Sequence, residues 1–425
     1  MNTNTSRGEA DLLVIGAGLS GLMAAWQAAR AGLRVHVIAK GAPSLHWTAG
    51  TVDVLGYMAA ASATAVADPM NALSALPGYH PYSLLGAAQV RAALADFLAL
   101  TEAAGLPYVQ GDGNWLLPSA VGALRPTWLT PQAQAAGDAR RTAPMLIVGF
   151  SGLRDFYPHL IAENLGKQGV PARAAMLPLE LISTARDRNA IHLAHALDEP
   201  QRHQALGRAL RQLVQPGERI GLPALLGLED HGATWAALQS AAGAALFEIP
   251  MLPPSVPGTR LFQAIRRSLR DLGVRVDMGI EAIRSHTAAG RIEWVETATS
   301  ARPMRLSAAC YLLASGGVLG GGFDSDHTGR VREVVFDLPL TVPQRRSHWF
   351  RAEFMHPAGQ PVFQGGVAVT AAMQPCHPDD PAQPLYANLW AAGGVLAGAD
   401  PIQERSLEGI ALTSGWAVAQ ALARR

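Results

Sequence analysis

An α/β fold follows from three observations in the sequence. A short apolar strand, Leu12 to Ile15, runs into the spaced glycines of Gly16-Ala-Gly-Leu-Ser-Gly21 and then into an alanine-rich helix. Strand-like and helix-like segments alternate again through a middle section that closes at the proline cluster Pro250-Met-Leu-Pro-Pro-Ser-Val-Pro-Gly258. Three short alternating runs separated by turn residues follow after position 280. The expected architecture is a Rossmann-like domain with a β-meander and an inserted α+β domain. The expected bounds are 1–136 for the first part of the nucleotide-binding domain, 137–250 for the insertion and 251–425 for the second part.

Each element has a local reason. Leu12 to Ile15 is a continuous apolar run, as in a strand buried on both faces of a parallel sheet. Leu19 to Ala31 is helical and stops at Gly32, and Val35 to Ile38 is the second strand. Residues 59–81, rich in Ala, Ser and Pro, read as a surface connection, and Ser83 to Ala104 as a helix stopped by Gly105. In the middle section Met145 to Phe150 and Arg219 to Leu226 read as strands, and Arg154 to Gln168 and Gln204 to Val214 as helices. After the prolines, Thr259 caps a helix to Leu272, followed by strand Val274 to Met278. The meander is expected over Glu281 to Ser285, Arg291 to Thr297 and Leu306 to Ala314, with Gly290 at its first turn.

Composition narrows the function class. The chain has 425 residues, 16% of them charged, and a net charge of +1 with no basic block, which argues against nucleic acid as the main partner. Its hydrophobic share of 49% is too high for a disordered chain, and a large interface with another protein chain would equally account for the scarcity of charge. Two cysteines, Cys310 and Cys376, form no CxxC pair, so neither a zinc site nor an iron–sulfur ligand set is expected, and no metal site. Cys310 lies in an apolar run and is expected to be a packed thiol. The polar stretch Met1 to Glu9 lacks the layout of a signal peptide, and Leu12 to Leu33 is too interrupted by glycine to span a membrane. An intracellular, soluble protein is expected.

Gly16, Gly18 and Gly21 have the spacing of a phosphate cradle. The first permits the tight turn, the second lets a phosphate approach the backbone, and the third lets helix and strand pack closely. The helix start then favours an anion. Leu312-Leu-Ala-Ser-Gly-Gly317 and Asn388-Leu-Trp-Ala-Ala-Gly-Gly394 are two further apolar strands ending in small residues, which allow a flat cofactor to lie close to the backbone. Together with the first motif they point to a flavin, with the N-terminus of a closing helix, Ile410 to Leu422, able to face its pyrimidine edge.

The order of Gly16-Ala-Gly-Leu-Ser-Gly21, Ser44-Leu-His-Trp-Thr-Ala-Gly50, Leu252-Pro-Pro-Ser-Val-Pro-Gly-Thr-Arg-Leu261, Leu313-Ala-Ser-Gly316 and Asn388-Leu-Trp-Ala-Ala-Gly-Gly-Val-Leu-Ala-Gly-Ala-Asp-Pro401 resembles the B-subunit family of anaerobic glycerol-3-phosphate dehydrogenase. That family belongs to the flavoprotein group of fumarate reductase and succinate dehydrogenase. The resemblance implies oxidation of sn-glycerol 3-phosphate to dihydroxyacetone phosphate with electrons passed to the quinone pool. It also implies a complex with an FAD-carrying A-subunit and an iron–sulfur C-subunit, and a place peripheral to the inner membrane through those partners. The implied cofactor-binding set is Gly16, Gly18, Gly21, Ser44, Gly50, Ser315, Gly316, Gly393, Gly394 and Asp400. One departure stands out: Gln403-Glu-Arg-Ser-Leu-Glu-Gly409 replaces a glycine run with cysteine found in several family members.

The family's usual cofactor is FMN, and the second strand suits it. An acidic residue about 20 positions after the first glycine normally binds the adenosine ribose, whereas this chain has Ala39 and then Lys40. FMN has no adenosine ribose; FAD held through other groups is the alternative. Oxidising a secondary alcohol needs a base for its proton and a flavin for the hydride, and a phosphate needs Arg or Lys. His46 and His356 are the candidate bases and Arg260 the candidate anchor, with Arg330 and Arg332 next. Two other readings are a subunit that only transfers electrons or holds the complex together, and a stand-alone flavoenzyme of fumarate-reductase type.

Overall fold

A computed structural model describes residues 10–58, 64–186, 189–298, 303–354 and 356–424. The Met1 to Glu9 stretch and part of the 59–81 connection read above lie outside them. The chain forms two compact units. The first comprises Met1–Ser44, Tyr57–Phe97 and Ile265–Arg425, and the second Leu45–Gly56 and Leu98–Ala264. The second unit thus extends beyond 137–250 at both ends and takes in a separate short segment.

The first unit is built on a five-stranded parallel sheet in the spatial order Leu389–Ala391, Ala308–Leu313, Ala10–Ile15, Val35–Ala39 and Arg275–Met278. Its central strand contains Leu12, Leu13 and Val14, all at most 1% exposed, which explains the unbroken apolar run. The register aligns Ile15 with Ile38 on one side and with Leu313 on the other, and Leu313 with Ala391. The carboxyl ends of four strands therefore finish level. The helix Leu19–Arg30 packs along the closing helix Leu407–Ala423, where a side chain at Gly415 would strike the Ser20 backbone.

The third meander run behaves differently from the sequence reading. Met304–Leu306 pairs antiparallel with Arg291–Ala298, which pairs with Glu281–Ala288, but Ala308–Leu313 leaves for the parallel sheet. One apolar run serves two sheets, with the break at Ser307. Cys310 accordingly stands half-buried rather than packed, while Cys376 is buried.

The second unit has a four-stranded parallel sheet in the order Ala172–Pro178, Met145–Ser151, Arg219–Pro223 and Leu246–Ile249. Leu146, Ile147, Val148, Ile220 and Phe247 form the centre of its core. An antiparallel hairpin, Tyr108–Pro118 with Leu124–Pro131, adds to it, and Val52 bridges to Leu129, which draws the 45–56 segment into this unit. The helix Val256–Asp271 starts inside the proline cluster, with Pro257 in its first turn, where the missing N–H is not needed.

Candidate functional site

The site begins where the first unit's parallel strands end, the usual position for a ligand in such a sheet. Gly16 follows the central strand at φ +121°, and a Cβ there would collide with the Ala314 carbonyl at the end of the neighbouring strand. Gly18 caps the helix Leu19–Arg30 with no side-chain hydrogen bond, and the space where its Cβ would lie is empty. The first-turn N–H groups of that helix are therefore left for a ligand. Gly21 packs against the Gly16 carbonyl. Such an uncapped cradle fits an anionic phosphate.

The two later glycine pairs close on the same end of the sheet. Gly316 and Gly393 adopt φ of +83° and +81°. Gly394 approaches the Gly316 carbonyl, and Gly393 donates its N–H to Ser414 Oγ at 2.9 Å. Ser315 Oγ is buried without a hydrogen-bond partner, an orphaned polar atom of the kind that a cofactor edge satisfies. The residues present fit a flavin with a phosphate. At the second strand, Ala39 is buried and offers only its carbonyl, which accepts from Ile280 N–H at 2.9 Å, and Lys40 is paired with Glu281 at 2.7 Å. No carboxylate in this pair is left free for a ribose.

Ser44 is exposed, at the start of a short 3₁₀ turn, Ser44–Trp47. Gly50 belongs to the second unit, where its φ of +75° and close approach to Pro257 account for the glycine, and its carbonyl accepts from Tyr108 Oη–H. His46, also in the second unit, stands edge-on to Phe262 at 5.0 Å, with Nε2 buried and unpartnered. Burial pushes its pKa below the ordinary histidine value.

Arg260 is not an open anchor. Its Nη1 and Nη2 donate to Glu248 at 2.7 and 3.0 Å and its Nε to Gly227 O at 2.7 Å, with the side chain 3% exposed. Burial alone would raise the Glu248 carboxyl, but Arg260 and further polar contacts outweigh it and hold the group low. The pair ties the helix Val256–Asp271 to the strand Leu246–Ile249. Arg330 and Arg332 are exposed and share the wall of a cavity of about 500 Å³ with Asp324 and Asp326; Arg332 approaches Asp324 at 3.6 Å.

His356 and Asp400 come together in the first unit. The His356 carbonyl accepts from Gln403 Nε2 at 2.6 Å, and Asp400 caps the turn Pro401–Glu404 that carries Gln403. Asp400 lines a cavity of about 1030 Å³ whose wall includes two buried residues that the sequence did not single out as site residues, His80 and Glu404. Their ring and carboxylate meet at 3.1 Å across 324 positions of chain. Only the charged departure at Gln403–Glu404 hinted at this. Among the described residues no cluster of three or more His, Cys, Asp or Glu could hold a metal ion, and no helix is long and apolar enough to cross a membrane.

Residues 11–412 match the family described as FAD binding domain. The chain is 35% identical to the probable anaerobic glycerol-3-phosphate dehydrogenase B-subunit of Halobacterium salinarum, over 98% of both chains. It is 32% identical to the anaerobic glycerol-3-phosphate dehydrogenase B-subunit of Pectobacterium carotovorum, over 96% of this chain and 97% of that one. Among solved structures it is similar to a 3-ketosteroid delta1-dehydrogenase from Sterolibacterium denitrificans, at 11% identity and a TM-score of 0.45 over 98% of this chain and 99% of that one.

Proposed function

The chain belongs to the B-subunit family of anaerobic glycerol-3-phosphate dehydrogenase and, more widely, to the FAD binding domain family, and on that premise we propose that it is a flavin-carrying subunit of an enzyme complex oxidising sn-glycerol 3-phosphate to dihydroxyacetone phosphate. Electrons pass to the quinone pool through an FAD-carrying A-subunit and an iron–sulfur C-subunit, which hold this chain at the inner membrane surface. The observation that carries the reading is identity to B-subunit proteins over nearly the whole of both chains. The open cradle at Gly16 to Gly21 supports it.

A bound flavin would supply hydride acceptance; the protein's own residues bind, orient and handle the proton. Gly16, Gly18 and Gly21 would hold the phosphate, and Ser315, Gly316, Gly393 and Gly394 the ring system. FMN is the proposed cofactor because no carboxylate takes the ribose position at Ala39. FAD is the second reading, favoured by the matched family. Purification of the chain and mass measurement of the extracted flavin decides between them: an FAD mass sinks the FMN assignment, and no flavin at all sinks both.

A subunit that passes electrons without binding substrate is the other functional reading. It is favoured by Arg260, whose guanidinium is occupied by Glu248 rather than open to a phosphate. Glycerol 3-phosphate should bleach the flavin of the isolated chain if this subunit oxidises substrate. Bleaching that requires the partner subunits would favour the electron-transfer reading.

A further inference from the structure

The segment from Asp400 to Ser406 builds an acid–base arrangement on one cavity wall. Asp400 is 2% exposed, and its Oδ1 accepts the Ile402 and Gln403 N–H groups at 3.2 and 3.1 Å. Its other oxygen, Oδ2, is buried and lacks a partner. That oxygen lies against Gly359 and beside the amide of Gln364, another residue of the cavity wall, which also donates to Ala358 O at 3.2 Å.

Glu404, 4% exposed, is an acceptor in three contacts. Its Oε1 takes the Asp400 N–H at 3.2 Å; its Oε2 takes the Ser406 hydroxyl at 3.0 Å and faces His80 Nε2 at 3.1 Å. His80 Nδ1 accepts the Tyr82 N–H at 3.1 Å, so Nε2 carries the ring proton and donates to Glu404. Both His80 and Glu404 line the same cavity of about 1030 Å³, as do Tyr79 and Cys376, and His356 reaches this turn through Gln403.

Asp400 stands one turn from a second buried carboxylate, whose charge opposes its ionisation. Burial pushes the Asp400 carboxyl up and the charge of Glu404 adds to this, while the Gln403 and Ile402 N–H groups and the Gln364 side-chain amide offset it in part. With Oδ1 accepting two N–H bonds, Oδ2 is the oxygen open to a proton.

We propose that Asp400 Oδ2 is the proton-exchanging atom of this cavity, with Glu404 and His80 as positioning residues, and that its ligand is a small molecule carrying a secondary alcohol or the matching ketone. The inference rests on the proposed alcohol oxidation. There the O–H bond breaks and its proton passes to Oδ2, while the carbon yields its hydride to an oxidant of the flavin class and the C–O bond becomes a carbonyl. In the reverse direction, protonated Oδ2 donates to the ketone oxygen.

The test is infrared titration of the full-length flavin-loaded protein, following the carbonyl band of protonated carboxyl groups, with and without dihydroxyacetone phosphate. The wild type should keep such a band above the ordinary carboxylate range, and the ketone should shift it. Asp400→Asn should abolish it and lower kcat about 100-fold or more. Glu404→Gln, which removes the neighbouring charge, should move the titration to lower pH, and this readout stands even if Asp400→Asn does not fold. Glu333 is also buried and burial pushes its carboxyl up, so it can contribute a separate band that ignores the ketone; a ketone-shifted band that survives in Asp400→Asn overturns the assignment, and so does a titration unmoved in Glu404→Gln. Absence of any ketone-shifted band in a protein that still oxidises glycerol 3-phosphate overturns the inference alone. A band that behaves as expected in a protein with no such oxidation overturns the functional reading and leaves Asp400 as the proton carrier.

Discussion

At the scale of single residues, burial without a partner sets the chemistry. His46 has a polar nitrogen enclosed beside Phe262, and desolvation disfavours its charged form. Because its folded pKa lies below the ordinary value of 6.5, the unfolded chain binds more protons between those two values. Stability should therefore fall as pH drops through about 6.5, and stop falling on this account below the folded pKa. His36 and His231 act in the same direction, also through burial. Denaturant midpoints compared at neutral and mildly acidic pH should show this loss, and His46→Phe should make the acid-side slope shallower. An unchanged slope would mean that His46 is solvated and free to titrate. The sequence singled out His46 as a base by its neighbourhood; what enclosed its ring was Phe262, 216 positions later, which no local pattern reveals.

At the scale of elements, Arg260 shows how a residue type misleads when its partner is unknown. An arginine after a proline cluster reads as an anion anchor, yet it joins a helix to a strand through a buried two-bonded pair with Glu248. Breaking such a pair on one side leaves an uncompensated buried charge and costs about 3–5 kcal/mol. Arg260→Met should lower the denaturation free energy by that order, while Arg260→Met combined with Glu248→Met should recover most of it. A single variant as stable as wild type would return Arg260 to the list of available anchors. The hairpin Tyr108–Pro118 with Leu124–Pro131 escaped the sequence reading for a related reason. Its register shifts between Gln110 and Trp115, around Gly111 and Gly113, so the period of two that marks a strand is interrupted.

At the scale of the whole molecule, the cradle should couple cofactor binding to stability. A ligand held only by the folded state stabilises it by about 2.7 kcal/mol at a hundredfold excess over Kd. Removing the flavin should therefore lower Tm, and adding it back should restore Tm in a concentration-dependent way. Gly16→Ala places a Cβ against the Ala314 carbonyl at a φ that L residues rarely adopt, and should abolish that dependence. A flavin-dependent Tm in this variant would place the phosphate elsewhere than at the Gly16 turn.

By itself the sequence determined the nucleotide-binding start, because strand, glycine spacing and helix are local and occupy fewer than 30 residues. It also carried the family, through motifs spread along nearly the whole chain. Only the tertiary structure decided which residues share a cavity: Glu404 meets His80 across 324 positions and Asp400 lines the same cavity, and their buried oxygens and bonded nitrogens have no periodic signature. It likewise decided that Leu306 to Ala314 serves two sheets, since an apolar run records that it is buried but not which neighbours bury it.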